Sequence, residues 1–315
     1  MAHGARRACL ALVMLTVLAP PPVRGSAAET PPPAEPPIVY GEPRQAAVLA
    51  NREISESSGL ACSRQAAGVF WTHNDSGDSA RLFAFNSKGE HLATCTVVGA
   101  EARDWEDLAS FTMRGQSFLL IADTGDNDAV RPACSLYVVR EPAVGTPARP
   151  AEVRARVALR IDFRYEDGAR DCEAVAIDPT TLTIYLCSKE MGGGRIYALP
   201  WPRDKAAPGS PPHVARAVGT FAEAPLPTAM DISPDGRRAV VLTYADAYEY
   251  ARGPREDWAA AFARKPRVLK MPRRNQGESI GYGPDGKTLY LTSERVPAPL
   301  LEVPVAEPPP ATERP

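Results

Sequence analysis

The sequence predicts an all-β protein built as a ring, a five-bladed β-propeller, and three observations carry that prediction. The 33 prolines among 315 residues are too many for a mostly helical chain, because proline lacks an amide donor and clashes in helix interiors. One plan of short β-rich runs recurs five times, with repeat starts 48, 67, 55 and 50 residues apart. Repeated four-stranded units of roughly fifty residues, set around an axis, are the sequence mark of a propeller.

Each repeat opens on a polar-then-apolar phrase: 58-SGLACS-63, 106-EDLAS-110, 173-EAVAID-178, 228-TAMDIS-233 and 278-ESIGYG-283. A turn leads to a second run, at 69–75, 118–127, 183–190, 239–246 and 288–295. Third runs follow at 81–86, 135–141, 195–201, 247–252 and 300–305. Fourth runs lie at 91–98, 155–163, 214–221 and 266–271, and the fifth repeat has none. One run precedes the first repeat instead, 45-QAAVLA-50, and the expectation is that this N-terminal strand completes the last blade. The turns agree: 234-PDG-236 and 284-PDG-286 separate first from second runs, with the residues that favour tight turns. One short helix is predicted in 254-PREDWAAAFAR-264, a blade-4 loop, where Trp258 and Phe262 stand four apart on one face.

The ends of the chain differ from its middle. Arg6 and Arg7 precede an apolar run of about 12 residues, then small residues at 25–28, which reads as a signal peptide over 1–28. That run falls short of the roughly 20 residues a membrane span needs. Proline-rich stretches at 29–44 and 306–315 read as a linker and a tail around a propeller domain at 45–305. The expectation is therefore a secreted or periplasmic monomer with no membrane span in the mature chain. Five cysteines remain after cleavage (Cys62, Cys95, Cys134, Cys172 and Cys187), an odd number whose pairing the sequence leaves open. A net charge of −2 with no Lys/Arg run argues against nucleic acid as partner. Four histidines and no His-Glu-x-x-His argue against a histidine-rich zinc site.

Aligning the five openings puts Ser58, Glu106, Glu173, Thr228 and Glu278 at one equivalent position, each at the head of an innermost strand. Two residues on stand Leu60, Leu108, Val175, Met230 and Ile280, so a polar layer is expected at one mouth of the channel above an apolar plug. Three carboxylates aimed at one axis repel unless a cation sits among them. A donor set of oxygens alone suits Ca²⁺, a hard cation. The competing account is that these glutamates accept backbone hydrogen bonds, as acids at strand starts do.

The order Ser, Glu, Glu, Thr, Glu, one residue per blade, resembles that of the calcium-activated nucleotidase (apyrase) propellers, which have Ser, Glu, Glu, Ser, Glu. The resemblance runs in blade register from about 45 to 305, with motif identity at this ring. It implies a Ca²⁺ held by Ser58, Glu106, Glu173, Thr228 and Glu278. The family's nucleotide-contacting residues find no match in this chain.

Loops between second and third strands share the face with that ring and are rich in polar residues. Asp75, Asp104, Asp123 and Asp171 are candidates to orient water in a hydrolysis. Asn74, Arg103, Trp105, Asn127, Arg170, Lys189 and Arg295 are candidates to contact a small anionic ligand. The phrases 103-RDWE-106 and 170-RDCE-173 are near-duplicates, while 75-DSGD-78 and 123-DTGDN-127 also read as plain turns. Three functions are compatible with this pattern: a Ca²⁺-dependent hydrolase of a phosphorylated or other anionic substrate, a non-catalytic Ca²⁺-stabilised binding propeller, or a lactonase-like esterase. Two signals are set aside. The match of 277-GESIG-281 to a nucleophile elbow lacks the strand-to-helix context. The 192-GGG-194 stretch precedes a strand, not a helix.

Overall fold

The computed structural model describes Met1 and residues 37–202 and 209–306. The chain divides at Pro36/Pro37 into two units, and every strand belongs to the second, 37–315. Residues 2–28 of the stretch read as a signal peptide, residues 29–36 of that read as a linker and 307–315 of that read as a tail lie outside the described residues.

Among the described residues, twenty strands form five four-stranded antiparallel units. The first is β2 (Ser57–Cys62), β3 (Val69–Asn74), β4 (Arg81–Asn86) and β5 (His91–Val98). The second is β6 (Trp105–Met113), β7 (Gln116–Asp123), β8 (Cys134–Arg140) and β9 (Ala151–Tyr165). The third is β10 (Cys172–Ile177), β11 (Ile184–Ser188), β12 (Gly194–Leu199) and β13 (His213–Phe221). The fourth is β14 (Pro227–Ile232), β15 (Arg238–Thr243), β16 (Ala247–Ala251) and β17 (Arg267–Leu269). The fifth takes β18 (Ser279–Tyr282), β19 (Leu289–Thr292) and β20 (Pro299–Val303), and its outermost strand is the N-terminal β1 (Arg44–Val48), antiparallel to β20. The innermost strands β2, β6, β10, β14 and β18 approach one another in sequence, and β18 returns to β2.

Each gap between blades holds its own apolar core, because each sheet presents alternate side chains to the sheet on either side. Trp71, Leu108 and Tyr137 fill the gap between blades 1 and 2. Phe111, Phe163 and Val175 fill the next, followed by Phe221, Met230 and Trp258. Leu242, Ile280 and Tyr282 lie between blades 4 and 5, and Leu60, Phe70 and Leu300 between 5 and 1. The five residues expected to plug the channel are thus distributed one to each inter-blade core.

In four of the five blades a β-bulge accompanies this placement, and blade 5 reaches it with unbroken pairing. In blades 1 to 4 the pairing of inner with second strand slips at the ring position, between Ser57 and Leu60, Trp105 and Asp107, Cys172 and Ala174, and Pro227 and Ala229. An extra residue at a bulge re-aims its side chain, so the ring residue and the apolar residue two positions on no longer share a face. Below the ring the channel is pinned by Asp107. Its carboxylate accepts from Leu108 N (2.8 Å), Val175 N (2.8 Å) and Met230 N (3.2 Å), tying blades 2, 3 and 4. Asp231 does the same for blades 4 and 5, accepting from Ile232 N and Tyr282 N, each at 2.8 Å.

The helix α1 (Trp258–Phe262) is shorter than the sequence pattern suggested and begins after Asp257, whose side chain accepts from Ala260 N. Pro254 lies in the turn before it. Residues 37–43, read as linker, are docked: Tyr40 bridges Val305, and Gly41 N donates to Pro304 O at 2.8 Å. Tyr40 Oη also donates to Glu249 Oε1 (2.7 Å), which Tyr282 Oη shares (2.9 Å). The strand β9 is far longer than predicted. Residues 151–156 run parallel to β5, 157–163 antiparallel to β8, and 163–165 parallel to β13, so one strand joins the outer edges of three blades. Cys62, Cys95, Cys134, Cys172 and Cys187 are all free thiols and all buried. Among the described residues no helix is long and apolar enough to cross a membrane.

Candidate functional site: an acidic mouth

The bulged ring residues gather at one mouth with the loops that precede the inner strands and follow the second strands. Three overlapping carboxylate groups result, each with ligand oxygens within 4.8 Å of one another: Glu106, Asp171 and Glu173; Asp75, Asp104 and Glu106; and Asp75, Glu278 and Glu294. Three of the four acids expected to orient water therefore lie beside ring glutamates. The three ring glutamates do not form one central group: Glu106 and Glu173 share a group with Asp171, and Glu278 stands in another with Asp75 and Glu294. The ring hydroxyls point into inter-blade gaps, where Ser58 Oγ donates to Glu106 O (2.6 Å) and Thr228 Oγ1 to Gly277 O (2.9 Å).

The duplicated Arg-Asp-x-Glu phrase explains two of the groups. Asp104 and Glu106, like Asp171 and Glu173, stand two apart and meet at the mouth, while the residue between turns the other way. That residue is Trp105 in one blade and Cys172 in the other, and both are buried in inter-blade cores. Trp105 is 2% exposed, donates Nε1–H to Glu101 O at 2.9 Å and meets His73 edge-on, so it does not line the mouth as expected.

Asp123 is also corrected. It forms a buried ion pair with Arg131 (2.9 Å) and accepts from Asp104 N (3.2 Å), which fixes the loop under Asp104. Arg131 further donates to Gly125 O (2.8 Å) and its backbone N to Asp126 Oδ2 (2.7 Å). The sequence offered no signal for Arg131, since the loop between β7 and β8 has no repeat counterpart. Gly125 is required by closeness: a Cβ there would lie 2.1 Å from Glu106 Oε1 and 2.4 Å from Asp104 Oδ2. Asp171 Oδ1 accepts from Asp126 N (2.9 Å), tying the third blade's acid to the second blade's loop.

Of the residues expected to contact substrate, Lys189 reaches the mouth. Its Nζ pairs with Glu173 Oε1 and lies 5.5 Å from the centre of the Tyr244 ring. Tyr244 Oη donates to Glu278 Oε1 (2.9 Å), and this partly exposed phenol was not anticipated. Glu294, in the loop after β19, belongs to the third carboxylate group. Asn74 is consumed by the lead-in to blade 1, accepting from Ser55 N (3.0 Å) and Glu56 N (3.2 Å) and donating to Asp78 Oδ2 (2.8 Å). Arg170 is held by Asp167 (2.9 Å) and Glu190 (3.1 Å). Arg103, Asn127 and Arg295 are exposed.

Burial of like charges has the expected electrostatic result. Burial, with Asp75 and Asp171 adding to it, pushes the Asp104 carboxyl up to about 6. Burial raises Glu173 to about 7 despite Lys189, and Glu278 to about 9. Glu106 is raised well above the ordinary range by burial and then by Glu173, Asp75, Asp104 and Asp171. A cation among these groups would relieve that repulsion.

Fold and site together define a β-propeller with an acidic mouth, a class shared by enzymes and binding proteins alike. The chain matches no protein-family model and no curated protein. Among solved structures it is similar to a gluconolactonase from Xanthomonas campestris, at 14% identity over 90% of this chain and 99% of that one, with a TM-score of 0.47. It is similar also to the PQQ-bound aldose sugar dehydrogenase of Streptomyces coelicolor (12% identity, 86% and 100% of the chains, TM-score 0.48). A chain of a nidogen/laminin complex is a further likeness (14% identity, 76% and 73%, TM-score 0.45). None of these three carries the apyrase-like relationship, and the propeller assignment stands on the strand pairing itself.

Proposed function

We propose that the protein is an exported hydrolase that holds a divalent cation, Ca²⁺, at the acidic mouth and cleaves a small oxygen ester, phosphoesters and lactones included. The observation that supports it is Glu173: it is 5% exposed, one oxygen pairs with Lys189, and Oε2 is buried with no hydrogen-bond partner. That carboxylate stands in a group with Glu106 and Asp171, an all-oxygen donor set that fits a hard cation. Bound there, the ion would supply Lewis-acid polarisation of a carbonyl or phosphoryl oxygen. The chain's own residues do the rest. Asp75 and Asp104, which stand in a group with Glu106, position the attacking water. Lys189 offers a fixed positive charge, and Tyr244 presents an aromatic edge to whatever enters.

Asp107 and Asp231 weigh against an ion that serves stability alone, because they already pin the inner strands from below. The test is a screen of simple esters, lactones, phosphomonoesters and nucleotides with Ca²⁺ and with chelator. Turnover that needs Ca²⁺ and is lost in Glu106→Gln supports the reading. No turnover of any substrate, with Ca²⁺ bound, overturns it in favour of a binding propeller.

A further inference from the structure

We infer that the mouth holds two divalent cations rather than one, bridged by Glu106. This rests on the cation-dependent reading of the site and adds to it the number and arrangement of ions. Glu106 is the one carboxylate common to the group on blades 2 and 3 (with Asp171 and Glu173) and the group on blades 1 and 2 (with Asp75 and Asp104).

A cluster of acids is not in itself a site, and here two side chains argue for a ligand independently of it. Glu106 is 3% exposed, and among the described residues its carboxylate receives no hydrogen bond and no ion pair. Leaving an ionised carboxylate buried and unpaired is costly, so such groups are paired or coordinate metals. Glu173 Oε2 is the second orphan, buried and facing the same group. The two oxygens of one carboxylate suffice for two ions. Oε1 of Glu106 and Oδ2 of Asp104 both stand within 2.5 Å of where a Cβ on Gly125 would lie, so these two oxygens are neighbours. A shared carboxylate of this kind holds ions about 3.5–4 Å apart in two-metal sites.

Charge gives the same count. Asp75, Asp104, Glu106, Asp171 and Glu173 face the single ammonium of Lys189, since Arg131 is committed to Asp123. Once cation binding has displaced the protons these groups hold, four negative charges are left, which two divalent cations neutralise and one does not. The third group is left out because Tyr244 already occupies Glu278.

The test is stoichiometry. The full chain, stripped with chelator and dialysed against Ca²⁺, is measured by elemental analysis and by calorimetric titration, with melting curves to confirm folding. Two ions per chain are expected, falling to one in Asp104→Asn and to one in Asp171→Asn, with at least a tenfold loss of affinity at both sites in Glu106→Gln. The Asp104 and Asp171 variants change partly exposed residues and so bear the test if the Glu106 variant does not fold. One ion per chain, lost in both aspartate variants, overturns the bridged pair and leaves the single-ion hydrolase standing. No ion at all removes both.

Discussion

Replacing Asp107 by alanine removes a carboxylate, 0% exposed, that accepts backbone hydrogen bonds on three blades. Two of its donors, Val175 N and Met230 N, belong to other blades and lose their acceptor outright. Each orphaned buried donor costs about 1–3 kcal/mol. Against that stands the desolvation of the carboxylate itself, which burial pushes well above its ordinary pKa and which the variant no longer bears. The balance is a loss of about 3 kcal/mol, or roughly 6–10 °C in melting temperature for a domain of this size. Asparagine keeps an oxygen for Val175 and Met230 and turns an amide toward Leu108 N, so Asp107→Asn should cost about 1 kcal/mol. Urea and thermal denaturation followed by circular dichroism give both numbers, and amide exchange at Val175 and Met230 gives the location. If alanine and asparagine cost the same, or if exchange at those two amides is unchanged in the alanine variant, the Asp107 carboxylate does not tie the three blades together.

Gly125→Ala should weaken Ca²⁺ binding at least tenfold while the protein stays folded, because the new methyl displaces Glu106 and Asp104 and not backbone; calorimetry reads this directly, and unchanged affinity refutes it. In chelator, the folded mouth holds protons that the unfolded chain releases, since Glu173 is raised from 4.5 to about 7 and Asp104 from 3.8 to about 6. Stability from these groups is therefore greatest at low pH and declines as pH rises from about 4 to 7. Melting temperature should drop by several degrees over that window in chelator and far less with Ca²⁺, and a flat profile in chelator contradicts the account. Tyr40→Phe removes the hydrogen bond to Glu249 that pins residues before β1, at a cost of about 1 kcal/mol in denaturation; no change would mean that main-chain contacts alone hold this segment.

The repeat was readable because strands such as 81-RLFAFN-86 alternate cleanly between turn signals, and β4 spans those residues. The N-terminal closing strand followed from counting runs, and β1 pairs with β20. The ring position was readable by alignment, and so were the loop acids Asp75, Asp104 and Asp171 that join it. What alignment could not show was the bulge. A single inserted residue reverses the faces downstream of it, and such a residue precedes Leu60, Leu108, Val175 and Met230 in blades 1 to 4. Trp105 was misplaced because an indole amid charges reads as a surface residue until the alternation around it is fixed. Arg131 and the ion pair with Asp123 depend on a contact within an irregular loop, which no periodicity encodes.

The long strand β9 stitches blades 1, 2 and 3 into one continuous sheet of twelve strands, while blades 4 and 5 remain separate sheets of four. Glu106, Asp75, Asp104, Asp171 and Glu173 all come from the stitched half, whereas Glu278, Glu294 and Tyr244 stand on the other. Continuous strand pairing thus joins the blades behind one wall of the mouth, whereas single hydrogen bonds, Leu226 N to Glu190 O and Arg295 N to Ser55 O among them, and side-chain packing join those behind the opposite wall. The seams that flank blades 4 and 5 lack strand pairing at their outer edges, so any widening of the mouth meets least resistance there, and the wall that carries five of the acids is the more firmly braced.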